Sequence, residues 1–420
     1  MIENTKFTPP PLFNIQKLVD GKTPLYTPAS NGAWAGPPGT HNNTYRFTPA
    51  STKDGCGPHG NYDRHFNFTP ANVASCFDFN HGPFKLTWWE PESFYYYDAM
   101  LISAFYGMKW WDYREYFNIP RENFILVADS GGFEQLTQKV RIDPIDVLRW
   151  EELNADVGFA LDVPPKDPIT HAPATDINHF ISCAEQTQRN TDIMISHREN
   201  FKMKFYKVLQ GGDKEQLDLW WTYIDKFETD GLCTSPQPAQ QPLPTALHIG
   251  YALSKGIKNL HILLGTGINV TPVNVYGSTL FDLYTFDSSS YGQGTMTRDY
   301  WLPNNLNESI NLGRNGNLKY TNLPCDCPIC QNVNADEMRA DGSEPGALIS
   351  LHNLYNYIRQ VNFLKSLTQD PDYYFSYVKK HFPDNTYQAL CFIRDCKEGN
   401  FDSAYKKYFR NKISLSSVWG

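Results

Sequence analysis

No run of 18 apolar residues occurs anywhere in the 420-residue chain, so no membrane-spanning helix is expected. The opening MIENTKFTPPPLFN lacks an apolar h-region, which predicts no signal peptide and makes a reducing, cytoplasmic setting the expectation. Excess positive charge is missing too. Lys and Arg number 37 against 45 acidic residues, a net of -8, which is not the overall balance of a nucleic-acid binder. There is no early GxGxxG and no GxxxxGK[ST], so neither common glycine-rich phosphate cradle is signalled. No internal repeat or low-complexity tract is visible. Disulfide-framework spacing is absent as well: three of the nine cysteines crowd into six residues, a metal-like pattern.

Aromatic residues and loop formers are plentiful. Aromatics make up 15% of the chain, and Gly (28) with Pro (29) predicts many irregular connections around a real core. Residues 1–80 read as loops and turns. Dense aromatics follow in WWEPESFYYYDAMLISAFYGMKWWDY, with helix expected over part of 93–106 and a core or lid role for the cluster. Charge is uneven: residues 353–420 hold 10 basic and 6 acidic side chains, net +4, leaving -12 on the rest. A basic end on an acidic body can still contact phosphates.

After residue 120 the pattern becomes regular. Strand-length apolar runs fall at 124–128, 157–161, 205–209, 246–249, 260–264 and 283–286. Helical stretches separate several of them. Asp143-Pro144 caps IDVLRWEELN, residues 176–194 have helical spacing, and DKEQLDLWWTYIDKF starts acidic as a helix dipole prefers. Alternating strands and helices predict an α/β fold. The strands end in VADSGG, ALD, LQGG, HIG, LLGTG and TFDSSS, with polar and glycine residues just past their carboxyl ends. Both a (β/α)8 barrel and a doubly wound sheet bind ligands at that face. The pattern nominates Asp129, Asp162, Gln210 and Asp287 as one cluster, while Asp143, Asp156 and Asp282 read as cap or surface residues.

Cys325, Cys327 and Cys330 form C-x-C-x2-C, three thiolates on a compact turn. A closed tetrahedral zinc site needs a fourth ligand, and His352, at or near an expected helix start, is the nearest downstream histidine. Three thiolates and one imidazole suit structural Zn2+. Cys56, Cys76, Cys183, Cys233, Cys391 and Cys396 lack such spacing.

The segments FILVADSGGFEQL, GFALD, VLQGG, LHIGYALS, LHILLGTG, LFDLYTFDSSSYGQG, CDCPIC and LHNL occur in an order that resembles the tRNA-guanine transglycosylases, over roughly residues 120–360. That resemblance implies a (β/α)8 TIM barrel with a structural zinc-binding subdomain and an irregular aromatic-rich N-terminal region. The expected division is 1–120 irregular, 121–320 barrel core, 321–360 zinc subdomain and 361–420 basic helical tail. The implied activity exchanges guanine for a 7-deazaguanine. Asp287 matches the nucleophile that attacks C1′, and Asp129 the carboxylate that handles the proton of the departing and incoming base. Ser130, Gly131, Gly132 and Phe133 match the loop and aromatic around the base. Asp162 matches the reader of the guanine edge, Gln210 with Gly211 the group facing the base carbonyl, and Gly250, in a further glycine segment, another base-binding position.

The chemistry of these residue types agrees. An ionised Asp accepts from guanine N1–H and N2–H2, while an amide donates to O6. A second carboxylate stabilises charge at C1′ and then bonds to it. The base must leave any stack first.

Two departures from that family fall beside the matched carboxylates, and the first 120 residues are also unlike its usual amino terminus. After Asp287 the chain reads FDSSSYGQGTMTR where the family has FDCVxPTR, so the nearby arginine is missing and Arg298 comes later; after Asp162, DVP replaces DEC. These changes point to DNA as substrate, with a base such as 7-cyano-7-deazaguanine, and leave tRNA as the alternative. A non-catalytic accessory subunit and a base-excising glycosidase stay open. An accessory protein and a homodimer are the further expected partners.

Overall fold

The computed structural model describes residues 26–28, 78–79, 82–83 and most of 98–409. Most of the aromatic-rich stretch before residue 98, Cys56, Cys76, Arg298 and residues 410–420 lie outside the described residues.

Eight strands form one sheet, and every neighbouring pair runs parallel. They are β1 Tyr26–Pro28, β2 Ala99–Ser103, β3 Ile125–Asp129, β4 Val157–Phe159, β5 Lys204–Gly211, β6 Gly231–Pro236, β7 Asn259–Ile262 and β8 Leu283–Ser288. The order across the sheet is β1-β8-β7-β6-β5-β4-β3-β2. Strand β1 also lies beside β2 at the opposite edge, so the sheet is nearly closed. With helices between successive strands from β2 onward, the architecture is TIM-barrel-like. Strand β5 is buried from end to end except for Lys204, as expected for a parallel strand covered on both faces.

The expected helix starts are present. Asp143 accepts from Ile145 N and precedes α1 Pro144–Asn154; Asp176 accepts from Asn178 N and caps α2 Ile177–Ser196; Asp213 accepts from Gln216 N and caps α3 Lys214–Ile224. Each carboxylate satisfies an amide that the first turn leaves without a partner.

Two expected elements are different in kind. Residues 246–249 belong not to a strand but to α4 Pro242–Ser254. That helix is buried over Pro242 and from Pro244 to Ala252, because α9 Asp384–Lys397 covers the face that sheet contact leaves open. An apolar run without a polar face carries no helical period. The strand at this point in the chain is instead β6, whose sequence GLCTSP has no apolar run to announce it. Within 93–106, residues 99–103 form β2, fully buried beside β3, and the expected helix is confined to the short segment Ala104–Gly107.

Beyond helix α5 Thr271–Gly277 and β8, and before the short helix α6 Pro328–Asn332, β9 Asp299–Leu302 and β10 Asn305–Asn311 make an antiparallel pair. It packs on α7 Ser343–Leu367. Helices α8 Pro371–His381, α9 and α10 Phe401–Phe409 follow. Among the described residues no helix is long and apolar enough to cross a membrane.

Candidate active site

Parallel register sets the carboxyl ends of the strands side by side: Ser103 pairs with Asp129, and Gln210 with Ser235. At this end lies a cavity of about 190 Å3, lined by Asp129, Asp162, Gln210 and Asp287 together with Phe133, Glu134, Lys166, Ser235 and Leu264. Pockets for drug-sized ligands begin at about 300 Å3, so this one suits a single small heterocycle.

Asp129 ends β3, and its Oδ2 accepts from Gly131 N at 3.4 Å. Burial, reinforced by Glu134, Asp162 and Asp287 nearby, pushes its carboxyl well above the usual range. It is therefore fitted to hold a proton near neutral pH. Asp162 follows β4 and is 5% exposed. Burial raises its pKa to about 6, against the opposing pull of the Gln210 amide, Lys166 and the Ser130 hydroxyl. Gln210 Nε2 donates to Asp162 Oδ2 at 2.7 Å, and Gln237 Nε2 donates in turn to Gln210 Oε1 at 3.2 Å.

Asp287, on β8, is 3% exposed. Its Oδ1 accepts from Leu264 N at 2.8 Å and lies 3.3 Å from His261 Nε2. Leu264 reaches this position with φ 52°, a left-handed conformation that costs a non-glycine residue on the order of 1 kcal/mol or more. Its side chain and that of Phe133 are the exposed apolar residues of the lining, at 37% and 42%.

The DSGG loop turns directly beneath the cavity. A Cβ on Gly132 would stand 2.4 Å from both the carbonyl oxygen and Oδ1 of Asp162, so only glycine fits there. Ser130 is buried beside it. Gly131 caps the short helix Gly132–Gln138, and Phe133 stands with its ring 5.1 Å from Lys166 Nζ. Gly211 ends β5, its carbonyl accepting from His248 Nε2 at 2.9 Å.

Gly250 is not part of this cluster. It lies on α4, where an added Cβ would meet Cys396 Sγ and Phe392 Cε1 of α9 at 2.8 Å. Its small size serves close helix packing, and the expectation that it touches the base is corrected accordingly.

A second group gathers away from the cavity. Sγ of Cys325, Cys327 and Cys330 and a nitrogen of His352 all lie within 4.8 Å of one another, close enough to coordinate one metal ion. His352 Nδ1 is 3.4 Å from Cys327 Sγ and 3.3 Å from Cys330 Sγ. Tetrahedral geometry with ordinary zinc bond lengths places S and N about 3.5 Å apart, so the donor set fits such an ion. The other ring nitrogen, Nε2, bonds to the Trp301 carbonyl at 2.8 Å, which leaves Nδ1 as the ligand. The Tyr300 ring stacks on the imidazole at 3.7 Å, and Asn356 Nδ2 donates to Cys325 Sγ. His352 sits well inside α7 rather than at a helix start, since the helix begins at Ser343.

The chain is similar to a tRNA-guanine(15) transglycosylase of Sulfolobus acidocaldarius, 22% identical over 316 residues, covering 70% of this chain and 57% of that protein. The chain thus spans less than two thirds of that relative's length. No family model matches. The likeness is to the transglycosylase superfamily at large and singles out no DNA-modifying branch.

Glu134, Lys166, Ser235, Gln237 and His261 join the site without having been singled out from the sequence. Glu134 directly follows Phe133 in the DSGG segment, and Lys166 lies four residues past Asp162; both positions were signals. His261 is a lone histidine in an apolar strand. Ser235 and Gln237 sit in and after the unannounced strand β6.

Proposed function

We propose that this protein exchanges guanine in a nucleic acid for a free 7-deazaguanine base. The reading is carried by one observation: Asp129, Asp162 and Asp287, far apart in sequence, line a single base-sized cavity. Asp162, ionised, accepts from the N–H groups of the guanine edge, and the Gln210 amide turns toward its carbonyl. A lone pair of the Asp287 carboxylate forms a bond to C1′ as the glycosidic C–N bond breaks. The bonding electrons leave with the base, which takes the proton held by Asp129. The incoming base then loses its proton to Asp129 and displaces Asp287 from C1′. Phe133 and Leu264 cover the faces of the base.

The polynucleotide is tRNA or DNA. The similar Sulfolobus protein is named for guanine 15 of tRNA, which favours tRNA. The stretch FDSSSYGQG, without an arginine near Asp287, favours DNA as a second reading. At the cysteine cluster, Zn2+ is the proposed ion, held by Cys325, Cys327, Cys330 and His352, where it cross-links the 325–330 turn to α7 and takes no part in the exchange.

The test is incubation with labelled guanine and either bulk tRNA or duplex DNA. Label in one polymer, lost in Asp287→Ala, supports exchange and identifies the substrate. Abasic sites without label would turn the reading into a glycosidase. Unlabelled, intact polymers of both kinds would leave the chain a binding subunit.

A further inference from the structure

His261 takes no direct part in the steps above, yet it is fully buried against the acid proposed as nucleophile. Its Nε2 lies 3.3 Å from Asp287 Oδ1, and its Nδ1 lies 2.7 Å from Thr285 Oγ1 on the same strand as Asp287. The ring packs on Phe159, centroids 4.8 Å apart. A carboxylate oxygen can only accept, so the imidazole nitrogen facing it carries the proton. Nδ1 is then the acceptor, and the Thr285 hydroxyl donates to it. One tautomer satisfies all three groups.

Oδ1 therefore receives two donors, His261 Nε2–H and the Leu264 amide. Among the described residues Oδ2 has no hydrogen bond of its own. Resting on the base-exchange reading, we propose that His261 is a positioning residue that, with the Leu264 amide, holds Oδ1 of Asp287 and leaves Oδ2 as the oxygen that bonds to C1′. Attack by Oδ2 converts the carboxylate to an ester whose carbonyl oxygen is Oδ1, still facing both donors. When the second base arrives, the C1′–Oδ2 bond breaks, its electrons return to the carboxylate, and the same two donors receive the recovered negative charge. The arrangement serves the nucleophile in one half of the exchange and the leaving group in the other. It makes no contact with the base edge, so base affinity is not its task.

The test compares His261→Phe, which keeps a ring against Phe159, with His261→Gln, whose amide can restore an N–H near Oδ1. The expected result for His261→Phe is a fall in kcat of about 10- to 100-fold, the range that losing a hydrogen bond to a charged group commands, with KM for guanine unchanged. His261→Gln should recover most of the loss, and the covalent protein–polynucleotide adduct should form slowly in the first variant and faster in the second. Wild-type kcat in His261→Phe, or a loss carried by KM, overturns the proposal. A second measurement needs no turnover. Nitrogen NMR of the His261 imidazole should show protonated Nε2 and unprotonated Nδ1, and Thr285→Val should disturb that tautomer. Protonated Nδ1 in the wild-type chain overturns the assignment even if a variant fails to fold. Absence of exchange by wild-type protein on both polymers would instead remove the base-exchange reading, while the NMR result still decides whether His261 donates to Asp287.

Discussion

Gln210 Nε2 and Asp162 Oδ2 are 2.7 Å apart, joined by a hydrogen bond between side chains 48 residues apart in sequence. The donor proposed for a base carbonyl and the acceptor proposed for base N–H groups satisfy each other across the cavity wall. A base entering between them must replace that bond with two complementary ones, so cavity affinity is a difference between two sets of hydrogen bonds.

The first prediction follows from the acceptor's charge. Burial raises Asp162 to a pKa of about 6. Above that pH it is ionised and, on the base-exchange reading, accepts from the guanine edge; below it, protonation removes an acceptor. KM for guanine should rise as pH falls through about 6. Gln210→Leu deletes the hydrogen bond that opposes the burial effect, so the inflection should move to higher pH. A KM profile flat through this region would contradict the role given to Asp162.

Gly132→Ala should damage the same residue from beneath. The new methyl would stand 2.4 Å from the Asp162 carbonyl and carboxylate oxygens. Relieving that overlap costs about 1–3 kcal/mol. Denaturant titration should show the loss of stability, and KM for guanine should rise with it. An unchanged KM would place Asp162 outside base recognition.

The metal cluster yields a prediction independent of activity. Native mass spectrometry should find one zinc per chain, lost in Cys327→Ser. Removing the ion should lower the melting temperature, because the 325–330 turn and α7 are then no longer tied. Tyr300→Phe and Asn356→Ala touch two of the thiolates from outside and should each weaken metal affinity about 10- to 100-fold. Equal melting temperatures with and without a chelator would refute a structural ion.

His248 predicts an acid-sensitive brace. It is fully buried between Thr234 of β6 and the Gly211 carbonyl of β5, and burial lowers its pKa from 6.5 to about 4. As pH falls below 6.5 the unfolded chain takes up a proton that the folded chain refuses, so stability falls with pH until about 4. The loss amounts to about 3 kcal/mol. The buried carboxyls Asp129 and Glu151 have raised pKa values and act in the opposite direction. The comparison must therefore be with His248→Gln: wild type should lose stability relative to the variant on acidification. A constant difference would show that the imidazole does not titrate as its burial requires.

Much of this protein is legible in its sequence. Helix caps at Asp143, Asp176 and Asp213, the cysteine turn, and strands with Asp129, Gln210 and Asp287 at or next to their carboxyl ends are signals carried within a few residues, because capping, turn chemistry and strand burial are local. The exceptions are equally physical. Helix α4 has no polar face to reveal its period, since α9 covers it, and β6 has no apolar run, since Thr234 and Ser235 bond or line a cavity instead of packing.

What the chain alone determined is therefore the inventory: which carboxylates, which thiolates, and which ends of which elements carry them. The tertiary structure decided their partnerships. That Gln210 meets Asp162, that His261 faces Asp287 across adjacent strands, and that Gly250 packs on a helix instead of a base all depend on strand register and helix docking. Those contacts join residues dozens of positions apart, and no local pattern encodes a distance that only the nearly closed barrel creates.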